Sequence, residues 1–319
     1  MTSPRCTLSI FAARTDMPFL GYTSPHLVRM CRYNFVERVL VVDTAPLSGD
    51  KLLRPGIGTM EELRELCAKF VADGIIDRVV DIDYDPAYQK KVYKKHMGRS
   101  RIRPTHNYKG YPILGSIFKI EEAPSDYVLH FDSDMLLYSE PDFSWIDEAI
   151  ALTEANPHAM SFRPLTGPPR KDQGDALSQP VNWELDPSGD FYKFKFFGSR
   201  CYLVSRKRFD EILPMPIIWY KYGLKNQWLN NLPEPLKIPV FYAAKRGKLQ
   251  SWEIMVTEAI KDTPYYRGTM ASPRAWTIHP PKHGPEFVAA LPTLIEKIES
   301  GWYPESQAGH YDLILEDWL

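Results

Sequence analysis

Strand-like and helix-like patterns alternate through the first 137 residues, and this alternation limits the fold more than any other feature of the chain. Thr7–Ala13 (TLSIFAA) is a β-rich apolar run, and Arg38–Asp43 (RVLVVD) is a second, of the fully buried type. Ile75–Tyr84 (IIDRVVDIDY) and Tyr127–Leu137 (YVLHFDSDMLL) read as the third and fourth strands. Helical patterns separate them. Ser24-Pro25 reads as an N-cap and first helical residue, with Leu27, Met30, Cys31 and Asn34 following at helical spacing. Thr59-Met60-Glu61-Glu62 is a capping box; Leu63, Leu66, Cys67, Phe70 and Val71 form the apolar stripe behind it, and Gly74 suits the C′ position. Ile113–Ile120 puts Leu114, Ile117 and Phe118 on one face. The order predicts a mostly parallel sheet covered by helices on both faces. Ligands of such sheets bind outside the carboxyl ends of the strands. Arg14 and Thr15, Asp43, and the pair Asp132 and Asp134 all fall at such ends.

The fourth run carries the most chemistry. Apolar residues flank Asp132-Ser133-Asp134 on both sides. A strand running through this stretch points Asp132 and Asp134 the same way and Ser133 the other. Two carboxylates held together in apolar surroundings repel each other and are costly to desolvate. A divalent cation relieves both, and hard oxygen ligands suit Mg²⁺ or Mn²⁺, which also bind substrate phosphates. Without a metal, the same pair reads as two solvated carboxylates at a turn.

Composition sets the outer limits. The chain has 319 residues, enough for a sizeable core, and a formal net charge of −1, which favours neither nucleic acid nor a membrane surface. Cys6, Cys31, Cys67 and Cys201 form no CxxC pair and read as small buried hydrophobes in a reducing compartment. The opening MTSPRCTLSIF has no signal-peptide pattern, and no apolar stretch reaches membrane-spanning length. The expectation is a soluble cytoplasmic protein.

The second half changes character. Ala159–Phe162 reads as a short strand, and residues 164–182 as a mobile loop rich in Pro, Gly, Lys and Asp. Phe194–Val204 reads as a strand with a glycine break, and Leu232–Pro239 holds three prolines and is not expected to be regular helix. Ser251 caps a short helix that carries Glu253 in its first turn. Trp276–His279 precedes a Pro-Pro-Lys-His-Gly turn, and Phe287–Ile298 is a final helix. A basic run over residues 89–103 reads mainly as a solvated loop. Tyr108-Lys109-Gly110, just before a helix, offers a site for phosphate. Trp252, Trp276 and Trp302 suit sugar stacking or, by default, the core.

TLSIFAART, RVLVVD, HFDSDMLL and GSRCYLVSRKRF together resemble the nucleotide-sugar-dependent glycosyltransferases of the GT-A fold, the broad family 2 type, with HFDSDMLL resembling the DxD motif. The resemblance covers most of residues 7–215. It implies one GT-A domain over residues 1–319, with a nucleotide-sugar-binding half (1–138) and an acceptor-binding half (139–319). It implies transfer of a sugar, a hexose foremost, from a nucleotide-sugar donor to an acceptor hydroxyl. UDP is the expected nucleotide by family frequency, Mn²⁺ or Mg²⁺ the cofactor, and a saccharide or other small molecule the acceptor. Asp134 would bind the metal directly, and Asp132 would bind it through water or contact the ribose. Ala13, Arg14 and Thr15 would line the nucleotide, with Asp43 near the base and Ser133 and Lys109 in the donor site. His279 or His283 would complete the metal site, His279 being the choice because it ends an apolar run. Glu253 would be the general base of an inverting enzyme, although the expected Glu-Asp doublet is missing, which leaves the stereochemical outcome open.

Two other readings stand beside this one. A haloacid dehalogenase-type phosphatase also has Asp-x-Asp after an apolar strand, with the first Asp as nucleophile. That motif normally opens its fold, whereas here it follows three strands. A catalytically silent nucleotide- or glycan-binding protein of the same fold is the other.

Overall fold

The computed structural model describes residues 5–170, 183–221, 224–243 and 247–319. In the first half, strands β1 (Cys6–Ala12), β2 (Glu37–Val42), β3 (Arg78–Asp81) and β4 (Tyr127–Asp132) lie in the order β3-β2-β1-β4, all parallel. Helices α1 (Met17–Cys31), α2 (Met60–Ala72), α3 (Pro86–Met97) and α4 (Ile113–Glu121) make the crossovers. The capping box forms as read. Thr59 Oγ1 accepts from the Glu62 amide at 3.1 Å and Glu62 Oε2 accepts from the Thr59 amide at 2.7 Å. Two otherwise unpaired donors are satisfied, an effect of about 1 kcal/mol. Gly74, at φ +67°, ends α2 in the left-handed conformation that glycine adopts without steric cost.

The second half adds β5 (Leu136–Ser139), α5 (Trp145–Ala155), β6 (Ala159–Arg163), β7 (Leu165–Thr166), β8 (Trp183–Leu185), β9 (Phe191–Phe194) and β10 (Cys201–Ser205). Then come α6 (Arg206–Glu211), α7 (Glu234–Ala243), α8 (Trp252–Ile260), β11 (Tyr266–Met270), β12 (Ala275–Ile278) and α9 (Pro285–Glu299). The large sheet continues past β4 as β10-β6-β11-β9-β8, and β5-β12-β7 form a second, small sheet. β10 is antiparallel to both β4 and β6, and β11 is parallel to β6. The protein is therefore a mixed α/β fold whose large central sheet has a parallel core and helices on its faces.

Alternation along the strands builds both faces. Leu40, Leu129 and Leu203 pack with Leu20, Phe70 and Trp145 in one core. Val41, Val128 and Tyr202 pack with Tyr93, Ile117 and Trp252 in another. A third core, with Trp276, Leu291 and Trp318, lies between the small sheet, α9 and the C-terminal residues. Truncating a fully buried ring such as Trp145 to alanine costs about 3–5 kcal/mol. His26 ties the layers together. Its Nε2 accepts from the Leu137 amide at 3.1 Å, which leaves the proton on Nδ1, 2.8 Å from Glu299. Burial holds its pKa below the usual histidine value, although Glu299 pulls it up.

Several local expectations are overturned. α1 starts at Met17, with Pro18 in its first turn and Pro25 inside it rather than at its start. Burial of Phe19, Leu20 and Thr23 outweighs the one backbone bond that Pro25 cannot make. The fourth run is not one strand. The chain leaves the large sheet at Asp132, turns with Met135 N donating to Asp132 O at 3.2 Å, and enters the small sheet at Leu136. Phe194–Val204 is likewise divided, because β9 pairs with β11 while β10 pairs with β4 and β6. Residues 232–239 do enter a helix, α7. Pro233 precedes it, Pro235 sits in its first turn, where its missing amide costs nothing, and Pro239 lies inside. Residues 89–97 of the basic run belong to α3, N-capped by Asp85, with Lys95 and His96 each 2.7 Å from Glu121. Of the expected loop 164–182, residues 165–166 are strand β7 and 164–168 are buried, while 171–182 lie outside the described residues. All four cysteines are buried and unpaired. Among the described residues, no helix is long and apolar enough to cross a membrane.

Candidate active site

The strand order reverses between β1 and β4, so their carboxyl ends border a crevice. Phe11 pairs with Asp132, and that register sets Ala13–Asp16 beside Asp132–Asp134. Asp134 sits in the turn after β4 rather than on the strand, so the shared direction expected from alternation does not apply. It is 7% exposed. Its Oδ2 lies 2.8 Å from His283 Nε2, while its Oδ1 is buried with no hydrogen-bond partner. Burial works against its charge, but His283, His279 and Arg54 win and hold its pKa at about 2.

The direct contact to Asp134 comes from His283 and not from His279, the histidine expected from the sequence. His279 Nδ1 is 3.0 Å from Asp312 Oδ1, its backbone pairs with Tyr311 and Leu313, and its ring stacks on Tyr311. Burial lowers its pKa, and the nearby Asp134 charge opposes that. His283 packs its ring 5.2 Å from Phe19 of α1.

Asp132 faces the α4 side of the sheet. Its Oδ1 is 3.1 Å from His130 Nε2, and Lys119 Nζ reaches the same nitrogen at 2.8 Å. His130 Nδ1, 3.0 Å from the Ser9 carbonyl, needs the ring proton to donate there. A neutral ring then offers Nε2 as a lone pair, which suits the Lys119 ammonium but gives Asp132 no proton to share. Burial takes Lys119 down to about 7, with Asp132 opposing, and burial plus Lys119 takes His130 down to about 4.

The other expected donor-site residues have these positions. Thr15 and Asp16 are buried in the turn after β1, where Ala13 N donates to Asp16 Oδ2 at 2.8 Å and Thr15 Oγ1 to Asp16 Oδ1 at 2.9 Å. Arg14 is half-buried, and its carbonyl accepts from Gly58. Ser133 is buried in the turn between the two aspartates. Asp43 is fully engaged, accepting from Lys51 Nζ (3.2 Å), Tyr84 Oη (2.7 Å) and the Ala45 amide (3.1 Å), with His106 Nε2 at 3.3 Å. Burial opposes its charge, but His106, Lys51 and Tyr84 push its pKa well below the usual carboxylate range. Its oxygens are thus committed to fixing the β2 end. Lys109 is exposed, its Nζ 5.7 Å from the Tyr108 ring centroid and its carbonyl bonded to Asp50 N. The expected phosphate seat at the start of α4 is already occupied, since the Ile113 and Leu114 amides both donate to Thr105 O.

Glu253 lies in the first turn of α8, whose N-cap Ser251 accepts from the Ile254 amide. Its Oε2 accepts from Ser199 N (2.9 Å) and Ser199 Oγ (2.8 Å), which ties α8 to the segment between β9 and β10. Trp252 and Trp276 are buried in the cores, and Trp302 is exposed with Lys297 Nζ 4.8 Å from its ring centroid.

Four contributors escaped the sequence reading. Asp16 is a third buried carboxylate; burial raises its pKa and Asp134 adds to that, against Lys51 and Arg54. Arg54 Nη1 is 3.7 Å from Asp16, and its Nη2 donates to Tyr111 Oη at 3.2 Å. Partial burial opposes the Arg200 charge, but Tyr311, Asp132, Asp134 and Glu253 together raise its pKa. Lys119 is the fourth. Only Asp16 carried a sequence signal, as part of the Arg-Thr-Asp that ends the first strand. Arg54, Arg200 and Lys119 reach the site through tertiary packing.

These residues pass a chemical test for a divalent cation. A buried carboxylate oxygen without a partner beside an imidazole nitrogen is a donor set that suits Mn²⁺ or Mg²⁺. Among the described residues no group of three His, Cys, Asp or Glu side chains is gathered to hold a metal. Such ions often take one or two protein carboxylates and complete their shell with substrate phosphate and water.

No protein-family model matches the chain. No curated protein matches it in sequence. Among solved structures it is similar to a crystal structure of GalNAc-T7 with UDP, GalNAc and Mn²⁺, at TM-score 0.44 and 10% identity over 86% of this chain and 44% of that one. It is also similar to the mannosyltransferase PcManGT from Pyrobaculum calidifontis in complex with GDP-Man and Mn²⁺, at TM-score 0.37 and 13% identity over 68% and 48%. A third is S. aureus TarS 1–349 with UDP-GlcNAc, at TM-score 0.35 and 10% identity over 66% and 48%. The chain thus spans about half or less of the length of these three. At these scores the likeness has no bearing on function.

Proposed function

We propose that this chain is a divalent-metal-dependent glycosyltransferase that moves a sugar, a hexose foremost, from a nucleotide-sugar donor to an acceptor hydroxyl. The observation that supports it most is Asp134 at the switch point between β1 and β4, with one oxygen on His283 and the other buried and unpartnered. A diphosphate bridged to such a carboxylate by a cation is the ligand chemistry this crevice suits best. Asp134 and one of His283 or His279 would hold Mn²⁺ or Mg²⁺, with Asp132 behind a water or on the ribose. When bound, the cation would stabilise negative charge on the leaving diphosphate.

The protein's own groups take the other roles. Arg54 and Arg200 supply positive charge that acts on Asp134. The turn from Ala13 to Asp16, held by its own hydrogen bonds, gives the nucleotide a rigid wall. Glu253, oriented by Ser199, takes the proton from the acceptor hydroxyl. That oxygen bonds to the anomeric carbon, and the bond to the diphosphate breaks with its electron pair going to the diphosphate. Residues 1–138 supply the donor side and 139–319 the acceptor side, with His283 and Arg200 reaching across. Asp132 Oδ1 lies 3.1 Å from His130 Nε2, which has no proton to give it, and no observation favours Asp132 as a phosphoryl-accepting nucleophile.

The test is a thermal-shift screen of nucleoside diphosphates with and without Mn²⁺, because a ligand that binds only the folded state raises its stability. UDP with Mn²⁺ is expected to give the largest rise. No nucleoside diphosphate raising the Tm in a metal-dependent way would end this reading.

A further inference from the structure

The most demanding groups in the molecule are two arginines that no expected role accounts for. Arg163 ends β6 and is 4% exposed; Arg267 is the second residue of β11 and is 1% exposed. The two strands are parallel neighbours inside the large sheet, with Arg163 paired to Thr269 and Arg267 to Ser161, so the two arginines are offset by two residues and both reach towards Gly198. Among the described residues, neither forms an ion pair with a carboxylate. Arg163 Nε reaches Thr269 Oγ1 at 3.4 Å, while Arg267 Nε and Nη1 are buried with no partner at all. Arg267 stacks 4.3 Å over Phe194, but stacking covers a face and leaves the N–H edge unsatisfied. Burial lowers the pKa of both, the Arg163 charge adds to that at Arg267, and the Arg200 charge adds to it at Arg163.

A buried cation without a hydrogen-bonded partner is costly, and two side by side cost more. Planar guanidinium edges match oxyanions in a way that ammonium groups do not. The edges converge on Gly198, where an added methyl carbon would lie 2.9 Å from Arg163 Nη1 and 3.4 Å from Arg267 Nη1. Ser199 and Arg200 follow directly, so the same segment carries the partner of Glu253 and an exposed third arginine. Glu253 acts on all three arginines through its charge, but its Oε2 is committed to Ser199.

We infer that Arg163 and Arg267, with Arg200 at their mouth, form an oxyanion-binding site that takes a phosphate or carboxylate group of the acceptor. The acceptor assignment rests on the transferase reading above. The pair adjoins Glu253 on β6 and β11, whereas the crevice proposed for the diphosphate opens between β1 and β4. An anionic acceptor is held by its charge while its hydroxyl is presented to Glu253.

The test measures Tm for the full chain in sodium phosphate and in sodium malonate, each against sodium chloride of equal ionic strength. The wild type is expected to gain ~2 °C or more with at least one of the two oxyanions. Which one does so identifies the group. Arg267→Gln is expected to abolish the gain. Gly198→Ala, which keeps every charge but fills the space against Arg163, is expected to reduce it, and it decides the matter if Arg267→Gln does not fold. No gain in the wild type, or equal gains in all three proteins, overturns the site. Repeating the titration with saturating UDP and Mn²⁺ separates the sources. A persisting oxyanion gain supports an acceptor subsite, and its loss through competition overturns the acceptor assignment in favour of the donor diphosphate. Failure of UDP to raise the Tm while the oxyanion gain stands would remove the transferase reading and leave the anion site intact.

Discussion

Asp132 and Asp134 are two positions apart and live in unlike surroundings. Asp132 ends a strand, its side chain is 40% exposed, and its side-chain contact is with His130, with Lys119 behind it, both from its own half of the chain. Asp134 sits in a turn, is nearly buried, and meets His283, 149 residues away. One carboxylate faces solvent and a crowded nitrogen; the other has its charge fixed by Arg54 and by the two histidines of the segment between β12 and α9. The difference teaches that a short acidic motif need not act as a symmetric clamp. Where the chain leaves the sheet decides which acid is buried, and burial decides which charge is held in place.

The sharpest way to break this comparison is to neutralise each acid in turn. Asp134→Asn is expected to weaken Mn²⁺-dependent UDP binding by about 100-fold or more, the scale of a lost charge-assisted contact, with the fold retained. Asp132→Asn is expected to cost about tenfold. Calorimetry giving equal losses would remove the asymmetry.

Lys119 tests the Asp132 side through stability. Its pKa is about 7 in the folded protein against 10.5 unperturbed, so between these values the unfolded chain binds more protons and stability rises with pH. Lys119→Met removes this dependence. It is expected to exceed the wild type by on the order of 2 kcal/mol near pH 6, with the advantage shrinking towards pH 10. Urea melts across this range that show a constant difference would contradict it.

The two histidines sharpen the Asp134 side. His283→Gln is expected to reduce metal-dependent UDP binding about tenfold with little change in Tm. His279→Gln is expected to act the other way, lowering stability by about 1 kcal/mol through loss of the Asp312 contact, with a smaller effect on binding. Binding and melting measured on the same two variants distinguish these outcomes.

Least in size is Thr59→Ala, far from both acids. Loss of the α2 cap is expected to cost about 1 kcal/mol and to leave UDP binding unchanged. A change in binding would mean that the two sides of the crevice are not the only determinants.

The legible parts of the sequence were those whose physics is local. Periodicity and caps gave β1, β2, α2, α4, α8 and α9 within a few residues, because apolar spacing and a capping box act over one or two turns. The α/β class followed from their order. The misread parts each depended on a partner distant in sequence. Pro25 lies inside α1 because tertiary burial of Phe19 and Leu20 extends the helix past a local stop signal. The run through Asp132 breaks because Leu136 has a second sheet to join, paired with Ile278. Residues 194–204 split for a related reason, since β9 and β10 pair with different strands of the large sheet.

For the site, the sequence by itself determined that two acids two positions apart fall at the carboxyl end of a buried strand, and that Arg14 and Thr15 fall at the end of another. Only the tertiary structure decided that His283 rather than His279 touches Asp134, that Asp43 and the α4 amides are already engaged, and that Arg163 and Arg267 are buried on neighbouring strands with no ion-paired carboxylate among the described residues. The physical reason is range. Hydrophobic period and capping are written into neighbouring residues, whereas a charge is set by whatever the folded chain brings within a few ångströms of it.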